Sequence, residues 1–177
     1  MTGRVRVRVR ELESRDFEAL REMDGDTEVQ FWRGAMTITP EDTRRFLDQV
    51  ILERQAAPRP RYVFGITLPP QDSVIGTCWL ILTYPEWLGA EIGYQLNRRE
   101  WGQGYATETV RAVLEFGFTQ LHLRRIWARV NPPNAPSWRV LEKVGMRREA
   151  ELKACEFAAG EWRDLYLYGM LANEWRG

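Results

Sequence analysis

Histidine, lysine and cysteine are scarce in this 177-residue chain: one His, two Lys (Lys143 and Lys153) and two Cys. The lone His122 excludes any zinc site that needs two or more histidines. Its Leu-His-Leu setting reads as a connection after a helix, not as part of a catalytic triad. Cys78 and Cys155 lie far apart in strand-like runs and read as two buried, reduced thiols. No run of about 18 apolar residues exists, so no membrane-spanning helix is expected. The charges at the start of the chain have no apolar block behind them and do not read as a secretory signal, which makes the cytoplasm the expected location. Net charge is absent too, with 25 Lys+Arg against 25 Asp+Glu. A dedicated nucleic-acid binder carries a basic excess, so neither nucleic acid nor membrane is expected as a partner. No repeat of about 20–50 residues is present, which excludes solenoids and propellers. With 44% hydrophobic and 28% charged residues, the composition predicts one globular domain over residues 1–177.

What is present is a regular change of period. Arg4 to Arg10 alternates Arg and Val, the pattern of a strand with one apolar face and one solvated, charged face. Ser14 reads as an N-cap ahead of a helical stripe of Phe17, Leu20 and Met23, which Asp24-Gly25-Asp26 ends. The segment on to Ile38 has no clear period. Thr39-Pro40-Glu41-Asp42 is a helix start, with a cap, Pro at the first helical position and acids at the positive end of the dipole. Phe46, Leu47, Val50 and Ile51 give its buried face. Strands are predicted over 61–68, 74–84, 87–96 and 125–130, and helices over 104–120 and 134–144, the latter ended by Gly145. Strands over 147–157 and 162–171 enclose a hairpin loop, Ala158-Ala159-Gly160-Glu161. The order β-α-α-β-β-β-α-β-α-β-β gives an α/β (α+β) fold. It has a mixed, mostly antiparallel sheet of about seven strands, about four helices and one parallel β-α-β unit.

The chemistry concentrates in residues 89–107, GAEIGYQLNRREWGQGYAT. A strand runs into a loop containing Gly102 and Gly104, and the loop opens a helix. Glycine allows close backbone approach, the first helical amides have no intrahelical acceptor, and the dipole favours anions there. Arg98 and Arg99 add cations. The loop is not a P-loop, because no Gly-Lys-Ser/Thr follows, and no G-x-G-x-x-G is present. Two glycines alone equally describe a tight strand-to-helix turn.

Arg99-x-x-Gly102-x-Gly104 matches the Q/R-x-x-G-x-G/A signature of the GNAT acetyltransferase superfamily. GAEIGYQLNRREWGQGYATE, NPPNAPSWRVLEKVGM and WRDLYLYGMLANEW resemble the GNAT branch that acetylates the N-terminal alanine or serine of ribosomal proteins, in order and over nearly the whole chain. The resemblance implies a sheet splayed in the middle, between the strands at 89–97 and 125–130. It implies acetyl-CoA as co-substrate; no metal cluster is visible in the sequence, so no metal is expected. The backbone of Tyr94, Gln95, Leu96 and Asn97 would pair with the pantetheine arm. Arg99 and the loop from Trp101 through Gly102, Gln103, Gly104 and Tyr105 to Ala106, with Thr107 beside it, would hold the pyrophosphate. Asn134 and Ser137 match the N-x-x-S that contacts the CoA arm near its thiol. Lys143 is either a further phosphate contact or a solvated helix residue.

The implied reaction is direct attack of a neutral primary amine on the thioester in a ternary complex. An α-amine, with its pKa near ~8, needs little help to lose a proton. Glu91 is the first candidate base, and its other reading is a surface glutamate paired with an arginine. A backbone amide of the same strand would stabilise the thioester oxygen. Many GNAT enzymes carry a proton-donating tyrosine seven residues after the asparagine. Here that position is Leu141, which leaves Ser137 as the substitute donor; its other role is to brace the helix start. Tyr166 and Tyr168 are on the last strand, with one facing the site. The acceptor pocket falls to the segment 24–38 and the loop 157–163, with Asp26, Glu28, Phe31, Trp32, Glu156 and Trp162 as candidates, since acid plus aromatic suits a cationic amine.

The acceptor is then an amine: most consistently a protein N-terminal α-amine, alternatively a small amine or antibiotic. A non-catalytic acyl-CoA sensor on the same scaffold is the competing class, and Leu141 favours it mildly. Exposed strands and many aromatics leave room for a homodimer, which the sequence does not specify.

Overall fold

The computed structural model describes residues 6–33, 38–83, 88–158 and 160–177. Seven strands form one sheet in the order β1-β2-β3-β4-β5-β7-β6. They are β1 (Arg8–Glu11), β2 (Arg61–Thr67), β3 (Val74–Thr83), β4 (Gly89–Leu96), β5 (Arg125–Val130), β6 (Arg147–Ala158) and β7 (Glu161–Leu171). Every neighbouring pair is antiparallel except β4 and β5, which are parallel. The helices are α1 (Phe17–Asp24), α2 (Thr27–Arg33), α3 (Pro40–Glu53), α4 (Tyr105–Thr119) and α5 (Ala135–Lys143). The predicted strand starts at Arg4 and Trp87, the strand end at Tyr84 and Ala159 of the hairpin loop lie outside the described residues.

The sheet is covered on both faces. On one, Val110, Val113 and Leu114 of α4 and Leu141 of α5 pack with Leu80, Ile92 and Ile126. On the other, Leu20 and Met23 of α1 and Leu47 and Val50 of α3 pack with Leu12, Val63 and Val74. Period-two alternation assigns successive residues of a strand to the two layers. The start of α3 is as predicted: the Asp42 amide donates to Thr39 Oγ1 at 3.2 Å, and the Thr39 amide returns a bond to Asp42 Oδ2 at 3.0 Å, a reciprocal capping box.

Among the described residues, five α-helices stand where about four were predicted. The extra one, α2, is two turns long and too short to show a period, but Asp26 caps it. Asp26 Oδ1 accepts from the amides of Glu28 (2.9 Å) and Val29 (3.3 Å). Ser14 is not an N-cap: a 3-10 turn over Ser14–Asp16 leads into α1, and the Asp16 carboxylate takes the Glu13 amide at 2.7 Å.

The charged face of β1 is not simply solvated. The Arg10 side chain is 10% exposed and forks onto Asp16, with both nitrogens at 2.8 Å, and onto Asp72 at 3.0 Å. Arg6 binds Glu108 and the Gln103 carbonyl of the glycine loop. Alternation shows which residues share a face but not which loops fold over it. The cysteines are both free, yet only Cys78 is buried; Cys155 lies exposed on the edge strand β6. No helix among the described residues is long and apolar enough to cross a membrane.

Candidate active site

The parallel pair β4–β5 is short. Its register runs Gly89↔Arg125, Ala90↔Ile126, Glu91↔Trp127 and stops there. Beyond this point each strand keeps its outer neighbour, β4 with β3 as far as Leu96 and β5 with β7 as far as Val130. The two therefore part as a wedge, and residues 92–96 of β4 have no strand partner on their β5 side. Pro132 and Pro133 follow β5 and offer no amide to continue a ladder. A cleft of about 600 Å³ fills the wedge.

The cleft has two arms, set by the alternation of β4. Ile92, Tyr94 and Leu96 face the α4–α5 layer. Glu91, Gly93 and Gln95 face the opposite way, beside Trp79 of β3, whose register partner is Gly93. The first arm ends at the N-terminus of α4, where Gly102 and Gly104 take φ of +75° and +86°. Side chains rarely adopt these angles. The amides of Tyr105, Ala106 and Thr107 open the helix without intrahelical acceptors, an anion site by geometry and dipole.

α5 forms the other wall of that arm. Asn134 Oδ1 accepts the Ser137 amide at 3.2 Å and so caps the helix. The Tyr94 hydroxyl crosses the wedge to the same turn. It donates to the Ser137 carbonyl at 2.8 Å and lies 3.0 Å from Ser137 Oγ. Burial holds the Tyr94 phenol above the ordinary range, although its bond to Ser137 pulls the other way. Leu141 lines the cleft as an apolar wall. Arg139 and Lys143, one turn apart, line it as cations, and neither has a carboxylate partner among the described residues.

In the second arm the cleft is lined by Val29 and Trp32 of α2, Trp79, Glu91, Arg129, and Glu156, Arg163 and Leu165 of the β6–β7 hairpin. Glu91 accepts from Arg129 Nε at 3.0 Å and Nη2 at 3.3 Å. Glu156 is half-buried and has no ion-pair partner among the described residues. Buried Gln95 Oε1 has no hydrogen-bond partner among the described residues.

The structure thus brings together on the cleft Glu91, Tyr94, Gln95, Leu96, Trp101, Gly102, Gly104, Tyr105, Ala106, Thr107, Asn134, Ser137, Trp32 and Glu156. It places others elsewhere. Arg99 pairs with Glu22 at 3.2 Å and with Glu100 at 3.7 Å, and Arg98 with Glu28 at 2.8 Å. Asn97 is buried, with its amide on the Ile75 carbonyl. Gln103 donates to the Arg99 carbonyl at 3.3 Å. Phe31 is 54% exposed and packs edge-on against Trp32. Trp162 is 66% exposed and packs on Phe157 at the hairpin tip. Neither Tyr166 nor Tyr168 lines the cleft; the Tyr168 hydroxyl donates to Glu142 at 3.0 Å, and burial pushes its pKa up to about 12. The sequence reading missed Trp79, Arg129, Arg139 and Arg163, as well as the reach of the Tyr94 hydroxyl. Only the cross-strand register and the partition between faces reveal them.

An unpaired strand edge, a helix N-terminus and two cations without carboxylate partners among the described residues suit a long anionic ligand with an amide-bearing arm, which is the chemistry of coenzyme A. The sequence profile of the Acetyltransferase (GNAT) domain matches residues 6–147. The chain is 35% identical over 179 residues to an uncharacterized N-acetyltransferase, p20, of Bacillus licheniformis, covering 97% of this chain and 96% of that protein. It superposes on a GNAT-family acetyltransferase of Bacillus anthracis with a TM-score of 0.84 at 34% identity, covering 96% of each chain. It also superposes on Mycobacterium smegmatis RimJ in complex with CoA-disulfide with a TM-score of 0.83 at 27% identity, covering 95% of this chain and 83% of that one. The chain belongs to the GNAT acetyltransferases and is an acyltransferase.

Proposed function

We propose that this protein transfers the acetyl group of acetyl-CoA to a primary amine, the α-amine of a protein N-terminus. The observation that carries the reading is the wedge between β4 and β5. It joins an anion-binding arm on one sheet face to an aromatic and acidic arm on the other, so donor and acceptor meet without sharing an entrance. Acetyl-CoA supplies the activated acetyl thioester. The free edge of residues 92–96 binds the pantetheine arm as an added strand, and the α4 amides with Arg139 and Lys143 take the phosphates. A β4 amide stabilises charge developing on the thioester oxygen.

Trp32 and Trp79 make an apolar floor that a cationic amine enters with favourable cation–π contact. Of the two carboxylates there, Glu91 is committed to Arg129, so it acts as base only by loosening that pair. Glu156 has no ion-pair partner among the described residues, and we assign it to receive the amine proton, directly or through one water. Glu91 then fixes Arg129 at the wedge. A peptide acceptor suits the mouth of this arm, where Phe31, Phe157 and Trp162 stand exposed as a surface for residues behind the N-terminus. The resemblance to acetyltransferases of ribosomal-protein N-termini supports the same acceptor.

Thiol release from acetyl-CoA tests the reading against peptides starting with Ala, Ser or Met, polyamines and aminoglycosides. Turnover on peptides is the expected result. Preference for a polyamine or aminoglycoside would overturn the acceptor, and CoA binding without turnover on any amine would favour a sensor. With a competent acceptor, E156Q should lower kcat/KM about a hundredfold, while E91Q acts mainly on KM.

A further inference from the structure

The proton donor that many GNAT enzymes place on this helix is replaced here by Leu141, which is 1% exposed and offers no hydrogen bond. Yet a tyrosine hydroxyl does reach the first turn of α5, from a different element. Tyr94 is on the β4 face that points towards α5, three residues past the last β4–β5 pair. Its ring spans the wedge, and its oxygen meets both the carbonyl and the hydroxyl of Ser137, at 2.8 and 3.0 Å.

A phenol has one proton, and the carbonyl oxygen can only accept it. The Tyr94 proton therefore goes to the Ser137 carbonyl, and the phenol oxygen accepts from Ser137 Oγ–H. This arrangement fixes the serine rotamer and gives its proton a resting partner. The Asn134 cap on the Ser137 amide holds the same residue from the other side.

We propose that Tyr94 is a positioning residue that holds the Ser137 hydroxyl in place to hydrogen-bond the departing sulfur, a role that the apolar Leu141 cannot take. The inference rests on acetyl-CoA occupying this wedge. As the amine nitrogen bonds to the carbonyl carbon, the carbon–sulfur bond breaks and its electron pair goes to sulfur. Ser137 Oγ–H turns from the Tyr94 oxygen to hydrogen-bond the sulfur, while Tyr94 keeps its own proton on the Ser137 carbonyl. The proton lost by nitrogen leaves through the acceptor arm, and the thiolate takes one from solvent.

Two measurements test this. With any acceptor that turns over, Y94F should lower kcat about tenfold and S137A somewhat more, with the KM for acetyl-CoA within about twofold of wild type. The double variant should be no slower than S137A, because Tyr94 acts through Ser137. The second measurement needs no acceptor: the pH dependence of alkylation of CoA held by excess protein, with S-alkyl-CoA read by mass spectrometry. The bound thiol should titrate about one pH unit lower in wild type than in Y94F or S137A, the equivalent of a tenfold change.

Multiplicative losses in the double variant would overturn the proposal. So would a Y94F loss confined to CoA affinity or melting temperature, or equal thiol titration in all three proteins. Absence of turnover with every amine would sink the catalytic reading of the protein while the thiol titration still decided the role of Tyr94.

Discussion

Gly93 lies beneath the indole of its cross-strand partner Trp79: a Cβ built on Gly93 would fall 2.3 Å from a ring carbon. No side chain fits there, so glycine at 93 lets Trp79 lie across β4 and form the floor of the acceptor arm. G93A should destabilise the protein by about 1–3 kcal/mol, as overpacking of a filled site does. It should also raise the acceptor KM more than the acetyl-CoA KM. Thermal denaturation of G93A, W79A and the double variant checks the cause: the double should melt no lower than W79A, because removing the indole removes the clash.

The cations of the glycine loop and those of α5 are differently engaged. Arg98 and Arg99 bind Glu28 and Glu22 of α2 and α1, while Arg139 and Lys143 face the cleft without carboxylate partners among the described residues. R139Q/K143Q should therefore weaken CoA about tenfold, and R99Q by less than about threefold, since its exposed pairs are worth little. Isothermal titration calorimetry at two salt concentrations separates them, with the steeper salt dependence in wild type than in R139Q/K143Q. The reverse ranking would mean that Arg99 leaves Glu22 for the ligand.

These contrasts show where a single sequence is informative. The apolar run of β3 and the capped start of α3 are local, and both were legible to within a residue or two. The loop at 102–107 was legible because glycine and a helix start act on their immediate neighbours. Tyr94 and Ser137 are 43 residues apart, and Glu91 and Arg129 are 38 apart; no local pattern announces that either pair meets. α2 is illegible for another reason: two turns cannot establish a period, and in the sequence its cap at Asp26 reads as the end of the preceding helix.

The two cysteines should differ in reactivity. Cys78 is fully buried in the sheet core, and burial pushes its thiol well above the usual range, whereas Cys155 is exposed. Thiolate is the reactive form. A colorimetric thiol titration should find one reactive group per native chain and two in denaturant. C155S should leave the native protein unreactive over the same time, while C78A should keep the fast phase and lower stability by leaving a cavity in the core.

The Arg10–Asp16 pair gives the fold an acid limit. Burial alone would raise the Asp16 carboxyl, but the Arg10 fork and the Glu13 amide outweigh it and hold the group below the usual carboxylate range. A depressed folded-state pKa adds stability that is fully present above the unfolded value, near ~3.9, and is lost as pH falls through the folded value. D16N should cost about 2 kcal/mol near neutrality, because the buried Arg10 guanidinium then keeps only the more exposed Asp72 as its carboxylate. The gap in melting temperature between wild type and D16N should be constant from pH 7 to about 5 and close progressively below about pH 4. A gap that stayed constant into strong acid would show that Asp16 acts through its hydrogen bonds and shape, not through its charge.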